Sequence, residues 1–223
     1  MQETCDAVIV AAGSGTRLGM SVPKAFVPLA GEPILTYSLA VFKAHAAIDR
    51  VILVVPETLL AETGRKFSGG SVSVVAGGAQ RWESVRNGCS ASEAEWVLVH
   101  DAARPFVTGA GIDTLLEKRN NFKCAITVTR VVDTIRTFDG ETAGETIDRS
   151  KLVRVGTPQL FRLPLLKKGL DLASTIQPPP TDEAILMQYM KIPVGIAWGD
   201  PTNFKITTPE DLSMAEALIG ARR

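Results

Sequence analysis

The sequence predicts an α/β fold, with a doubly wound, mostly parallel β-sheet covered by helices on both faces and a projecting β-arm. Three observations carry this expectation. Short β-rich runs alternate with helical patterns through the first half of the chain. Most of those runs are apolar throughout, as strands covered from both sides are. Between residues 131 and 155 the alternation gives way to polar, β-prone segments around a hairpin turn signal. The 223 residues, 45% of them hydrophobic, suffice for one domain with a substantial core. We read the chain as a single domain over residues 1–223.

The strands are expected in order at Val8–Ala11, Val51–Val55, Val72–Val75, Trp96–Val99 and Ala125–Val128. Between the first two, Pro33 to Ala46 carries Ile34, Leu35, Leu39 and Phe42 on roughly one helical face, with Pro33 suited to the first turn. Arg81 to Ser90 and Ile112 to Arg119 are further helix candidates. In the arm, Asp133–Phe138 runs into the turn pair Asp139-Gly140, and strand-like Thr146–Arg149 follows. Helical character returns at Leu163–Leu172. Pro178-Pro179-Pro180 forms a stiff loop, and Val194–Trp198 reads as a strand. Thr208 as N-cap, Pro209 at the first helical position, and Glu210 and Asp211 in the first turn announce the last helix.

The first strand runs into Ala12-Gly13-Ser14-Gly15-Thr16-Arg17-Leu18-Gly19, and Lys24 follows Pro23. Glycines let backbone N–H groups approach a ligand, and with Arg17 and Lys24 they suit a nucleoside triphosphate. A bare Gly-x-Gly is equally a tight strand-to-helix turn. The dinucleotide fingerprint fails because its third glycine position holds Leu18, and the acidic residue expected about 20 residues on is missing. This disfavours a nicotinamide dehydrogenase. The P-loop fails because no Gly-Lys pair ends the loop.

Net charge is zero, with 24 basic and 24 acidic side chains, which argues against nucleic acid polymers or an anionic membrane as partners. Cys5, Cys89 and Cys124 suggest neither a disulfide framework nor a zinc site. There is no signal-peptide pattern and no apolar run long enough to cross a bilayer, so the expected location is cytoplasmic.

Ligands of open α/β sheets sit at the carboxyl ends of strands. There the third strand delivers Gly77-Gly78-Ala79-Gln80-Arg81, with Ser84 one turn later. Arg81 and Ser84 either touch a base or sugar or belong to a turn and a capped helix. The fourth strand delivers His100-Asp101-Ala102-Ala103-Arg104-Pro105. Asp101, facing two phosphate-binding cations, is either a magnesium ligand or an ion-paired, helix-capping carboxylate. His100 reads as structural. With only two histidines, base catalysis is poorly supplied, which fits a reaction whose nucleophile is already an anion, such as phosphoryl or nucleotidyl transfer.

Taken together, these strings resemble the 2-C-methyl-D-erythritol 4-phosphate cytidylyltransferase family. The likeness runs from Val8 to about Leu218. It includes Ala11–Arg17, Pro23-Lys24, Gly77-Gly78 with Arg81 and Ser84, Val99–Phe106, Asp133-Thr134, Asp148-Arg149, Thr157-Pro158-Gln159, Thr181–Ala184 and Asn203–Thr207. Ala25 departs from the Gln that usually follows the Pro-Lys pair. The resemblance implies a Rossmann-like nucleotidyltransferase fold and transfer of CMP from CTP to methylerythritol phosphate, with magnesium or another divalent cation as cofactor and a homodimer as the assembly. It implies that Ala11, Ala12, Gly13, Ser14 and Gly15 surround the CTP phosphates and ribose, and that Gly78, Ala79, Arg81 and Ser84 lie around the cytosine. Arg17 and Lys24 would meet the triphosphate charge. Asp101 would sit near the metal and the sugar phosphate, with Ala102 and Arg104 close by. Lys205 and Arg149 would position the acceptor, Thr157 and Thr181 would complete the polyol pocket, and Thr134 and Arg149 would serve the neighbouring subunit's site. The rival readings are a cytidylyltransferase for another polyol phosphate such as ribitol 5-phosphate, a sugar-1-phosphate nucleotidyltransferase, and a non-catalytic nucleotide-binding regulator.

Overall fold

The structure is a computed structural model, and it describes residues 3–13, 15 and 22–222. In chain order its strands are β1 (Cys5–Val10), β2 (Pro28–Leu29), β3 (Glu32–Pro33), β4 (Arg50–Val55), β5 (Val72–Ala76), β6 (Trp96–Asp101), β7 (Cys124–Arg130), β8 (Ile135–Asp139), β9 (Thr142–Ile147), β10 (Val153–Arg162) and β11 (Val194–Trp198). The helices are α1 (Ile34–Ala44), α2 (Leu60–Phe67), α3 (Arg81–Ser90), α4 (Gly109–Leu116), α5 (Leu163–Leu172), α6 (Ala184–Tyr189) and α7 (Pro209–Arg222). Seven strands form one sheet in the order β11-β7-β10-β6-β1-β4-β5. All neighbours are parallel except β10, which runs antiparallel to both β6 and β7.

The doubly wound expectation holds because alternate residues of the central strands feed two cores. Ala7 and Ile9 of β1 pack with Leu35, Leu39 and Phe42 of α1 and with Ile112 and Leu115 of α4. Val8 packs on the opposite face with Trp82, Val85 and Cys89 of α3 and with Leu166 and Leu170 of α5. Each buried Leu or Ile contributes about 1.5–3 kcal/mol relative to an exposed one. A third cluster joins Leu29, Ile34 and Phe106 to Ala215 and Ile219 of α7. At the start of α7, Asp211 accepts from the Thr208 N–H at 3.0 Å while Thr208 Oγ1 accepts from the Asp211 N–H at 3.3 Å.

Several expected boundaries shift. α4 begins at Gly109, because Thr108 caps it by accepting from the Gly111 N–H at 3.1 Å, and residues 117–120 tighten into a 3-10 turn. Pro33 precedes α1, closing the β2–β3 hairpin, and is not part of the first helical turn. β9 ends at Ile147, and Arg149 opens a 3-10 turn capped by Asp148. The arm is the β8–β9 hairpin, separate from the main sheet, turning at Gly140 with φ of 55°. It leaves Phe138 82% exposed.

β10 has no counterpart in the sequence reading. Its register against β7 shifts between Val155 and Gln159, where Gly156, Thr157 and Pro158 form a bulge. Proline inside a run argues against a central strand except at such a bulge, which is how this strand accommodates it.

Candidate active site

β1 and β6 are adjacent and parallel, yet the chain leaving β1 leads to β4 on one side while the chain leaving β6 leads to β7 on the other. Such a switch point opens a crevice beyond the carboxyl ends of the strands. A cavity of about 310 Å³ lies there. Its wall comes from the end of β1 and the loop after it (Val10 to Gly13), from Lys24 and Ala25, from the β5–α3 connection and the first turn of α3 (Gly78 to Arg81, with Ser84), from Asp101 at the end of β6 and Ala103 beyond it, and from Lys205.

Two close approaches explain why glycines stand in these loops. A Cβ on Gly15, whose φ is 67°, would meet the Lys24 Cβ at 2.5 Å, so Gly15 backs directly onto the lysine. A Cβ on Gly77 would meet the Ala12 Cβ at 2.4 Å and the Ser84 Oγ at 2.9 Å, so Gly77 lets the loop after β5 lie against the loop after β1. Ser84 is buried, and its Oγ accepts from the Gly78 N–H at 3.1 Å, fixing that loop at the start of α3. Gln80 caps α3, its N–H donating to Glu83 Oε2 at 2.8 Å.

The wall carries Lys24, Arg81 and Lys205 against one carboxylate, Asp101, so it favours a polyanion. Asp101 joins two of these cations. Arg81 reaches Asp101 Oδ1 through Nε and Nη2, both at 3.0 Å, and Lys205 Nζ donates to Oδ2 at 2.7 Å. Arg81 Nη1 donates to Glu183 Oε1 at 2.6 Å. Burial acts to raise the Asp101 pKa, but Arg81 and Lys205 outweigh it and hold the carboxyl well below the usual carboxylate range. Burial acts to lower the Arg81 pKa, but the charges of Glu183 and Asp101 outweigh it and the pKa is raised. Both groups are therefore ionised at any working pH.

Behind Asp101, the β10 bulge places the Thr157 Oγ1 to accept from the Asp101 N–H at 3.1 Å. Thr157 Oγ1 also lies 3.1 Å from His100 Nδ1, and His100 Nε2 lies 3.0 Å from the Arg104 carbonyl. A carbonyl only accepts, so Nε2 carries the ring proton, and Nδ1 accepts from the threonine hydroxyl. Burial pushes the imidazole pKa down to about 4, keeping it neutral. His100 is structural, as expected. Arg104 Nη1 donates to the Asn203 carbonyl at 3.1 Å, and Asn203 Nδ2 donates to the Thr157 carbonyl at 3.1 Å.

Of the residues expected at the site, Ala11, Ala12, Gly13, Lys24, Gly78, Ala79, Arg81, Ser84, Asp101 and Lys205 all line this cavity. Arg17 and Ser14 lie outside the described residues. Ala102 packs into the core, and Ala103 is the residue that reaches the wall. Arg104 and Thr157 line a smaller neighbouring cavity of about 50 Å³ with Asn203. Thr181 is exposed off the wall. Thr134 and Arg149 lie away from this wall, just before and just after the arm. Arg149 donates to the Val132 carbonyl and lines a separate cavity with Ile196 and Trp198. The sequence reading assigned no role to Gln80, Ala103 or Glu183. Glu183 was invisible as an ion-pair partner because 102 residues separate it from Arg81.

The described residues contain no cluster of three His, Cys, Asp or Glu side chains that could hold a metal, and no helix long and apolar enough to cross a membrane.

Known proteins resemble this chain in sequence and in fold. The family model described as IspD, 2-C-methyl-D-erythritol 4-phosphate cytidylyltransferase, matches residues 5–221. The protein of that name from Rhodococcus opacus is 44% identical over 217 residues, covering 96% of this chain and 94% of its own. The one from Halalkalibacterium halodurans is 40% identical over 220 residues, covering 96% of both. Among solved structures, the 2-C-methyl-D-erythritol 4-phosphate cytidylyltransferase from Thermus thermophilus superposes with a TM-score of 0.80 at 33% identity, covering 97% of this chain and 98% of its own. By fold, by sequence and by the match along nearly its whole length, this chain belongs to the 2-C-methyl-D-erythritol 4-phosphate cytidylyltransferase family.

Proposed function

We infer that this protein transfers the cytidylyl group of CTP to 2-C-methyl-D-erythritol 4-phosphate, releasing pyrophosphate and forming 4-diphosphocytidyl-2-C-methyl-D-erythritol for non-mevalonate isoprenoid precursor synthesis. Family membership supports the reaction. The observation that carries it into this chain is the cavity at the sheet's switch point, with three cations on its wall.

An oxygen of the acceptor phosphate attacks the α-phosphorus of CTP. A P–O bond forms, the bond from the α-phosphorus to the bridging oxygen breaks, and pyrophosphate leaves with that electron pair. No proton need be removed from the nucleophile. The obstacle is the mutual repulsion of two anions, which cations fixed on the wall reduce. Lys24 meets the triphosphate from the β1 side with the N–H groups of Ala11 to Gly13, and the family resemblance assigns Ser14, Gly15 and Arg17 to the same phosphates. Ser84 holds the Gly78 loop that lies against the base. Asp101 holds Arg81 and Lys205 at fixed positions, and Lys205 meets the acceptor phosphate. Arg104 and Thr157, which line the neighbouring cavity, complete the acceptor side, and Thr181 is assigned there by the family resemblance alone.

Magnesium or another divalent cation is the expected cofactor. The donor set fits it: Asp101 is the one carboxylate on the described wall, its Oδ2 accepts from Lys205 alone and keeps a second lone pair, and magnesium is ordinarily bound by one or two carboxylates plus substrate phosphates. Bound there, the ion would neutralise phosphate charge.

We further read the protein as a cytoplasmic homodimer whose arm brings Thr134 and Arg149 to the partner's acceptor site. Exposed Phe138 and Val132, and a cavity of about 630 Å³ between Arg149 and Trp198, support that reading.

The deciding assay is pyrophosphate release with CTP and magnesium, comparing methylerythritol 4-phosphate with ribitol 5-phosphate. ATP, GTP and UTP replace CTP in parallel. Turnover confined to CTP with the methylerythritol acceptor is expected. Preference for ribitol 5-phosphate, or CTP binding without pyrophosphate release, overturns the reading.

A further inference from the structure

Glu183 is 1% exposed and lies off the cavity wall, and the mechanism above gives it no part. A buried carboxylate is costly unless a cation and further hydrogen bonds offset its desolvation. Here Oε1 accepts from Arg81 Nη1 at 2.6 Å, while Oε2 is buried with no hydrogen-bond partner. Glutamate thus stands in a site that satisfies only half of it, and the partner of its Oε1 is a residue of the wall.

We propose that Glu183 is a positioning residue: by anchoring Arg81 at Nη1 it keeps that guanidinium on a single oxygen of Asp101 and reserves the other oxygen for Lys205. The proposal deepens the cytidylyl-transfer reading and rests on it. Arg81 now places both Nε and Nη2 on Asp101 Oδ1, leaving Oδ2 to Lys205. Guanidinium and carboxylate prefer the two-against-two fork, in which two N–H groups meet two oxygens. Released at Nη1, Arg81 can swing into that fork and take Oδ2. Lys205 then loses its anchor and its fixed position toward the acceptor phosphate. Glu183 stands two residues after Thr181 and one before α6, so the same contact ties the acceptor-side segment to α3. Next to it, Asp182 accepts from Gln159 Nε2 at 3.1 Å, which fixes the segment against β10.

Glu183→Gln keeps the size and an acceptor oxygen but removes the charge. Its effect is expected on the acceptor side, as a loss of about tenfold to a hundredfold in kcat/KM for the polyol phosphate, the range seen when a supporting shell is removed. KM for CTP should stay within about threefold of wild type, a split that a general loss of structure does not produce. Glu183→Asp, which restores a carboxylate, should recover part of the loss, and it decides the matter if Glu183→Gln does not fold. In an Arg81→Lys background, Glu183→Gln should add little, because the residue it anchors is already gone. Wild-type acceptor kinetics in Glu183→Gln overturn the proposal. So do equal losses toward CTP and acceptor, or independent losses in the double variant. The wild-type enzyme measured alongside separates the two claims, since its failure to release pyrophosphate sinks the function itself, whereas normal wild-type turnover leaves only Glu183 at issue.

Discussion

Removing the charge of Asp101 tests the electrostatic reading of the site most directly. Asp101 is 8% exposed and pairs with Arg81 through two contacts at 3.0 Å and with Lys205 at 2.7 Å. A unit pair 4 Å apart gains about 4 kcal/mol at an effective dielectric of 20. The Lys205 contact is discounted for solvent, because that side chain is 36% exposed. Desolvation of the carboxylate offsets much of the rest. Breaking a buried pair by removing one partner costs about 3–5 kcal/mol, and we take about 3 kcal/mol for Asp101→Asn. In a chain of this size that corresponds to a melting temperature lower by about 6–12 °C. The loss should be specific to the empty site. CTP added without a divalent cation supplies phosphate oxygens to the freed Arg81 and Lys205, so it should raise the melting temperature of the variant more than that of wild type. The sign of the acid dependence follows from the depressed carboxyl. The folded-state pKa lies below the unfolded value of 3.8, so the contribution is fully present above that value and is lost as pH falls through the folded one. Asp101→Asn should flatten this part of the acid unfolding curve. Scanning calorimetry with and without CTP reads all of it. A variant that melts with the wild type, or gains no more from CTP than wild type does, refutes the view that Asp101 holds two wall cations in place.

Lys24→Ala should lower kcat about a hundredfold, equivalent to about 3 kcal/mol of transition-state stabilisation, by analogy with a lost oxyanion donor; near-normal turnover removes Lys24 from that role. Gly15→Ala forces a left-handed φ on a side chain whose Cβ meets Lys24 at 2.5 Å. It should cost about 1–2 kcal/mol of stability and lower turnover along with it, as read by urea unfolding and steady-state rates. Arg149→Ala should raise KM for the polyol phosphate and spare KM for CTP. If the arm serves the partner's site, mixing Arg149→Ala and Lys24→Ala protomers, at an acceptor concentration too low for Arg149→Ala to turn over, should restore up to about a quarter of wild-type activity, since half of the random dimers carry one intact site; no restoration argues for sites built from one chain.

The parallel part of the fold was legible because its signals are local. β1, β4, β5, β6 and β7 are short apolar runs, and α3 and α5 start and stop where their helical patterns do. The wall of the site was legible for the same reason, since strand ends and glycine loops mark it within a few residues of each other. What escaped was non-local. β10 reads as loop because Gly156 and Pro158 interrupt it, and because its exposed first half carries Arg154 among Val153 and Val155. Only pairing with β6 and β7 makes it a strand. Likewise the sequence left Asp101 as either a metal ligand or an ion-paired carboxylate. The structure shows the pairing with Arg81 and Lys205, 20 and 104 residues away.

That antiparallel strand also explains how one sheet serves two substrates. Parallel strands deliver their carboxyl ends to the crevice, and β1, β5 and β6 do so on the nucleotide side. An antiparallel strand brings its amino-terminal half to the same edge. β10 uses this, together with its bulge, to place Thr157 behind Asp101 and Gly156 beside Arg104. The arm hairpin leads directly into β10, so the segment carrying Arg149 and the segment lining the cavity proposed for the acceptor are one continuous stretch of chain. Closing β10 with an ordinary two-residue hairpin from β7 would preserve the sheet and the nucleotide wall. It would delete the arm and with it Thr134 and Arg149. If the insertion between β7 and β10 supplies acceptor recognition, as proposed, the resulting protein should still bind CTP but fail to turn over the polyol phosphate.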